Sequence, residues 1–335
     1  MGGGCSNMGK VVILATGGTI ACKKDPVTNE VKPSLTGEDL IDTVPGIDQI
    51  ANFEVENFSQ LQGAALSLNH LLALAQRIKN ILDRPDVSGV VITQGTDSIE
   101  ETSYFFDIVV DSEKPVIVTG SMKTPFSLGF DGPANLADAL VLASSEEVRG
   151  MGTLVVMNGI VYSARSAVKS NTIIPNAFTS VNQGAVGQVA EHKVYLFGGI
   201  KKQIKIPLLQ NNIESIDVNV ALIKAVLDPG NILLNCLVQS GIDGIVVEAM
   251  GAGHVPPCML EPLGIAIEKN IPVVITSRCG TGPLLKNTYS FEGSEQSLKK
   301  LGVIFSNLTG LKARIKLIAA LSLGEEGIAK YFNSE

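Results

Sequence analysis

The apolar positions of this chain fall into two kinds of block. From residue 10 onward, short runs of β-branched and aliphatic residues alternate with longer stretches in which apolar residues recur every three or four positions. Short runs of that kind make strands buried on both faces, and the longer periodic stretches make amphipathic helices packed on them, so the pattern predicts an α/β fold with a parallel sheet. Strands are predicted at 10–15, 53–58, 89–93, 115–119 and 153–157. A helix is predicted at 67–82, with Leu68, Leu71, Leu72, Ala75, Ile78 and Leu82 on one face. Further helices begin near Ser98 and near Pro133, a proline suited to a first turn. Residues 198–219 lose the rhythm, carrying Lys201, Lys202, Lys205, Pro207 and an Asn/Gln-rich patch, and read as a connection between domains. A second, smaller strand-helix alternation follows at 231–237, 244–249, 257–269, 272–277 and 303–306, with a helix from Thr309.

Composition narrows the class. With 335 residues, two packed domains are expected. Hydrophobic residues make up 45% of the chain, yet runs such as 11–15 and 271–275 are strand-length, far short of the roughly 18–20 residues of a spanning helix. No membrane association is expected. The first eight residues lack a basic segment followed by an apolar core, so neither a secretory signal nor an anchor is expected there. The five cysteines are scattered without a Cys-x-x-Cys pair, which argues against a disulfide framework and a zinc site and for a reducing cytoplasm. The net charge is −7 and no basic stripe is present, so nucleic acid is not an expected partner.

Candidate chemistry lies in a near-duplicate. Val11 to Thr19 ends in Ala-Thr16-Gly-Gly-Thr19, and Val90 to Asp97 ends in Gln-Gly95-Thr96-Asp97. Each is a buried strand running into a Gly-Thr turn. In an open parallel sheet ligands bind beyond the carboxyl ends of strands where crossovers diverge, so two such turns converge on one crevice. The first turn alone is equally compatible with a helix cap or a phosphate cradle. The second copy adds the carboxyl of Asp97 beside a hydroxyl, followed by Glu100 and Glu101, which read as charges favoured by a helix N-terminus. A hydroxyl nucleophile needs a base. Of the three histidines, His70 falls in a helical pattern, His192 reads as a solvated turn, and no serine-hydrolase elbow accompanies them. Lys169, within a stretch of small polar residues after a strand, is the better candidate, although a lysine there is also compatible with an ordinary salt bridge. Two decoys are set aside. Ser166-x-x-Lys169 lacks a Lys-Thr-Gly partner, and Gly251-Ala-Gly-His254 has Pro256 where a dinucleotide loop needs glycine.

Taken together, Ala15-Thr-Gly-Gly-Thr-Ile20 and Gly95-Thr-Asp-Ser98 with Glu100-Glu-Thr102 resemble the paired signature of the bacterial-type L-asparaginases and glutaminase-asparaginases. Ser59-Gln60, Asp131-Gly-Pro-x-Asn-Leu136, Val155-Val-Met-Asn158, Lys169-Ser-Asn-Thr172, Gly241-x-Asp-Gly-Ile245 and Thr276-Ser-Arg278 follow in order along nearly the whole chain. The resemblance implies a larger N-terminal domain with a parallel, flavodoxin-like sheet and a smaller C-terminal α/β domain. The corresponding division is 9–200, a linker at 201–222, and 223–335. It implies hydrolysis of asparagine to aspartate and ammonia, with Thr16 as the nucleophile that forms an acyl-enzyme. Thr96, Lys169 and Asp97 would relay protons and position water. Ser59 and Gln60 would hold the substrate α-carboxylate, and Thr96 and Asp97 would also contact substrate, Asp97 at its α-ammonium. It implies no metal and no organic cofactor, and a homodimer or homotetramer whose site is completed by a neighbouring subunit.

Three departures from that pattern bear on the substrate. Residues 21–40 hold no tyrosine where the family has one on a mobile loop, Tyr289 and His254 stand where a glutamate and an asparagine are usual, and Ser121 replaces an alanine. They leave two alternatives open: an amide or lactam without a free α-amino group as substrate, or a non-catalytic amino-acid sensor.

Overall fold

The computed structural model describes residues 9–324 and 327–332; the leading segment 1–8, with Cys5, lies outside the described residues. The chain divides into two compact units, Met1–Lys205 and Ile206–Glu335.

In the first unit the strands are β1 (Lys10–Gly17), β2 (Cys22–Lys24), β3 (Val31–Pro33), β4 (Phe53–Leu61), β5 (Val87–Thr93), β6 (Val116–Thr119), β7 (Thr153–Met157), β8 (Ile160–Ser163), β9 (Ala167–Lys169), β10 (Phe178–Ser180), β11 (Gly187–Ala190) and β12 (Lys193–Leu196). The helices are α1 (Gly37–Ile41), α2 (Leu68–Leu82), α3 (Ile99–Val109) and α4 (Gly132–Ser144). One eight-stranded sheet runs β12-β11-β8-β7-β6-β5-β1-β4. Its five parallel strands, taken in chain order, stand 2-1-3-4-5. This is the flavodoxin-like order expected, and its switch point falls between β1 and β5. Both strands are apolar on both faces: Val11, Val12, Leu14, Val90, Val91 and Ile92 are wholly buried, as strands sandwiched between helix layers must be.

The helices form where the pattern places them. Ser67 caps α2 by accepting the His70 backbone N–H. Leu71, Leu72, Ala75, Ile78 and Leu82 are buried; each large aliphatic side chain so buried contributes about 1.5–3 kcal/mol relative to exposure. Leu68, which the period also puts on this face, is only partly covered in the first turn. Arg77 forks onto Glu56, tying α2 to β4 with Nη2 at 2.6 Å. Pro133 occupies the first turn of α4, where its missing N–H costs nothing. The antiparallel extension β8, β11 and β12 and the separate pair β9-β10 carry too few residues per strand for a periodic signal to develop, and the apolar pattern did not predict them.

Asp138 on α4 is partly buried, and desolvation pushes its carboxyl up to about 6, with the His192 charge opposing. Between the ordinary carboxylate range and about pH 6 the native state therefore holds a proton that the unfolded chain releases. The stability this provides at acidic pH is lost as pH rises through about 6. Asp138→Asn is expected to raise the unfolding midpoint at pH 7.5 and to leave it nearly unchanged at pH 4; an equal shift at both pH values contradicts this.

In the second unit β13 (Val220–Lys224), β14 (Gly244–Ala249), β15 (Val273–Ser277) and β16 (Ile304–Phe305) form a four-stranded parallel sheet, with α5 (Ile232–Gln239), α6 (Leu260–Glu268), α7 (Glu295–Leu301) and α8 (Gly310–Leu321). This is the smaller α/β domain expected. Its core gathers Ile223, Leu234, Ile245, Val247, Leu263, Val273 and Ile275.

Candidate active site

β1 and β5 stay paired up to Ala15↔Thr93 and then release their chains into the two Gly-Thr turns. Those turns meet. Gly18 has φ +81, and a Cβ there would run into the backbone of Gly95, so the two loops are stacked main chain on main chain. The Gly18 N–H donates to the Leu61 carbonyl at 2.9 Å, which draws the end of β4 into the same place. Gly18→Ala combines a positive-φ penalty with a backbone collision, and the expected cost is about 2–5 kcal/mol. Thermal unfolding measures it, and a loss under ~1 kcal/mol contradicts this packing.

β4 reaches this turn through an irregularity. Ala15 pairs with Asn57, but Gly17 pairs with Leu61, so β4 spends two extra residues against β1. Ser59 and Gln60 lie in that bulge, a device that re-aims side chains beside a site. The Ser59 hydroxyl donates to the Thr16 carbonyl at 3.0 Å, and Gln60 is exposed. Thr16 is buried, its hydroxyl donating to the Thr93 carbonyl at 2.9 Å.

The second turn continues as a short 3-10 segment, Thr96–Ser98, into α3. It presents the Thr96 hydroxyl and the Asp97 carboxylate together. The Lys169 ammonium, delivered by the end of β9, donates to Thr96 Oγ1 at 2.8 Å and to Asp97 Oδ1 at 2.6 Å. The lysine side chain is 15% exposed and the carboxylate 74%, so the amine is the enclosed member of the pair. Hydroxyl, amine and carboxylate thus join across 73 positions of sequence. Such a group can pass a proton between a hydroxyl and an amine and hold the resulting charge.

Other residues singled out in the sequence fall as follows. Ser121 is fully buried and its hydroxyl donates to the Lys123 carbonyl at 2.8 Å. Ser166 shares a hydrogen bond with Ser163 at 2.7 Å and lies before a strand, not on a helix. His192 sits exposed in the tight β11-β12 turn with φ 56. In the second unit His254 packs edge-on against Tyr289 and Phe291, with ring centroids 5.2 and 5.1 Å away, and its Nε2 lies 3.2 Å from the fully buried Glu295. Glu100 departs from the expectation of a charge serving a helix end. It is buried, and its Oε1 accepts the Lys169 backbone N–H at 2.8 Å. The motif Glu100-Glu101 carried no sign of this, because β9 is joined to α3 only by the fold. Among the described residues no cluster of His, Cys, Asp and Glu could hold a metal ion, and no helix is long and apolar enough to cross a membrane.

Fold and site together define a two-unit α/β protein that sets a hydroxyl-amine-carboxylate group beside stacked glycine turns at a sheet switch point. Residues 10–201 match the family described as Asparaginase, N-terminal, and residues 219–332 the Glutaminase/Asparaginase C-terminal domain. The chain is 32% identical to an L-asparaginase of Bacillus licheniformis over 96% of its own length and 98% of the relative's. It is 33% identical to a glutaminase-asparaginase of Acinetobacter glutaminasificans, over 93% of this chain and 95% of that one. The crystal structure of a probable cytoplasmic L-asparaginase from Campylobacter jejuni superposes with a TM-score of 0.84 at 29% identity, covering 97% of this chain and 99% of that one. This chain belongs to the asparaginase family.

Proposed function

We propose that the protein hydrolyses L-asparagine to L-aspartate and ammonia through a threonine acyl-enzyme. The observation that carries the reading is Lys169 bonded to both Thr96 and Asp97 beside the Thr16 turn, since binding alone has no use for two hydroxyls and an amine around one carbonyl. Thr16 gives up its bond to the Thr93 carbonyl, attacks the side-chain amide carbon, and its proton leaves with the amine as ammonia. The Gly18 N–H is committed to the Leu61 carbonyl, so the oxygen on which charge develops would be met by other backbone N–H groups of the two turns; one such donor is typically worth about 10²–10³ in rate. Water then adds to the acyl carbon, its proton passing by way of Thr96 and Lys169 to the Thr16 oxygen as the ester bond breaks, which releases aspartate and restores the Thr16 hydroxyl. Ser59 and Gln60 hold the α-carboxylate and Asp97 the α-ammonium. Relatives named for asparagine alone and for both amides support this substrate class.

Ammonia release from asparagine, glutamine, D-asparagine and N-blocked asparagine tests the reading. Release from asparagine above a Thr16→Ala control supports it. Release only from blocked substrates moves the assignment to an amide without a free α-amino group, which the Tyr289 and His254 replacements favour. Calorimetric binding with no product makes the protein a sensor.

The same reading includes a cytoplasmic setting and self-association. Cys22, Cys236, Cys258 and Cys279 are free thiols, as a reducing compartment keeps them, and the Campylobacter neighbour is described as cytoplasmic. Phe126, Leu128, Ile173 and Ile174 stand exposed on loops after β6 and β9, apolar side chains that a second copy in a homodimer or homotetramer would cover. Light scattering on the eluted protein measures the assembly.

A further inference from the structure

We infer that Glu100 is a positioning residue, one that fixes the backbone of Lys169 so that its amine reaches Thr96 and Asp97. The inference rests on the reading that Lys169 serves in amide hydrolysis. Among the described residues β9 pairs only with β10, in a two-stranded sheet. On the paired edge Val181 donates to the Ser166 carbonyl and Ser170 donates to the Ala177 carbonyl. Backbone groups alternate along a strand, so Ala167 and Lys169 turn theirs to the other edge, where this sheet has no strand. The Lys169 N–H is met there by Glu100 Oε1 at 2.8 Å.

Glu100 lies one turn after Thr96 and Asp97 on the same rigid element, since the 3-10 segment runs directly into α3. That element therefore grips Lys169 twice, at its ammonium through Thr96 and Asp97 and at its backbone through Glu100. A flexible four-carbon side chain is placed accurately only if its Cα is held, and a two-stranded edge by itself holds it poorly. A carboxylate that served only the helix dipole would do so from solvent, yet Glu100 is 8% exposed.

The test compares Glu100→Gln, Glu100→Asp and Glu100→Ala in the full chain. The amide oxygen of Gln still accepts the Lys169 N–H, whereas Asp keeps the charge but draws the acceptor back by one methylene. Gln is expected to keep kcat for asparagine within about 3-fold, while Asp and Ala lose about 10- to 100-fold with little change in KM. In a Lys169→Ala background Glu100→Ala is expected to add less than ~2-fold, because the residue acts through the lysine. Hydrogen exchange at the Lys169 amide is expected to rise about 10-fold or more in Ala and Asp but not in Gln. Three results overturn the inference: Gln as damaging as Asp, Ala within ~2-fold of wild type, or an undiminished loss in the Lys169→Ala background. A wild-type chain that releases no ammonia sinks the functional reading instead, and the exchange measurement, which needs no substrate, then decides whether Glu100 holds the strand.

Discussion

Thr16→Ala is expected to lower kcat for asparagine by about 10⁴-fold or more, with the fold retained. The hydroxyl makes a single buried hydrogen bond, to the Thr93 carbonyl, so its loss costs about 1 kcal/mol of stability and leaves the stacked glycine turns in place. Activity and unfolding midpoint must therefore separate, and measuring both on one preparation checks that they do. The result carries weight because the resting geometry offers a rival. Thr96, not Thr16, has Lys169 Nζ at 2.8 Å, a contact that becomes a hydroxyl–base pair once the ammonium gives up a proton. If Thr16→Ala stays within ~10-fold of wild type, the nucleophile is not Thr16, and Thr96 inherits the role. Mass spectrometry of the quenched enzyme decides the same question by locating the acyl adduct.

Lys169→Met carries the second large effect, an expected loss of about 10²–10⁴-fold in kcat. Methionine approximates the length of the side chain and its packing but offers no proton. It leaves Thr96 without its partner and Asp97 without its counter-ion. Since Asp97 is mostly exposed, losing the ion pair changes stability little, within the range typical of surface pairs. A salt bridge that merely pins β9 to the loop would give the opposite outcome: a lowered midpoint with activity kept within about 10-fold. Substitution of Asp97 by Asn adds a distinguishing readout. It should raise KM as well as lower kcat, because the proposal gives that carboxylate both the lysine and the substrate ammonium.

Several features of this molecule were legible along the chain because their cause is local. Buried strands such as β1 and β5 announce themselves by short apolar runs rich in β-branched residues. The face of α2 follows from the 3.6-residue period, and its start follows from Ser67, which needs only the N–H three residues on. Both Gly-Thr turns follow from their composition, and their meeting follows from a general property of parallel sheets. The predicted ends fell short where chemistry begins: β1 runs to Gly17 and β4 to Leu61, past the apolar residues that mark them.

What the chain by itself determined, then, is an α/β fold with two hydroxyl-bearing turns, a lysine candidate, and an ordered set of motifs that name the family. Tertiary structure alone decided which groups touch. The bulge that carries Ser59 and Gln60 exists because β4 must follow β1 into the Gly17 turn, and a register is a relation between two strands that neither encodes alone. Glu100 looked like a helix-end charge because its partner is a backbone N–H, which every residue has and no sequence marks. Lys169 became the partner of Thr96 and Asp97 only when β9 was laid against α3. Local patterns report periodicity and turn chemistry, whereas an acceptor for an unpaired edge is chosen by whatever the fold brings within about 3 Å.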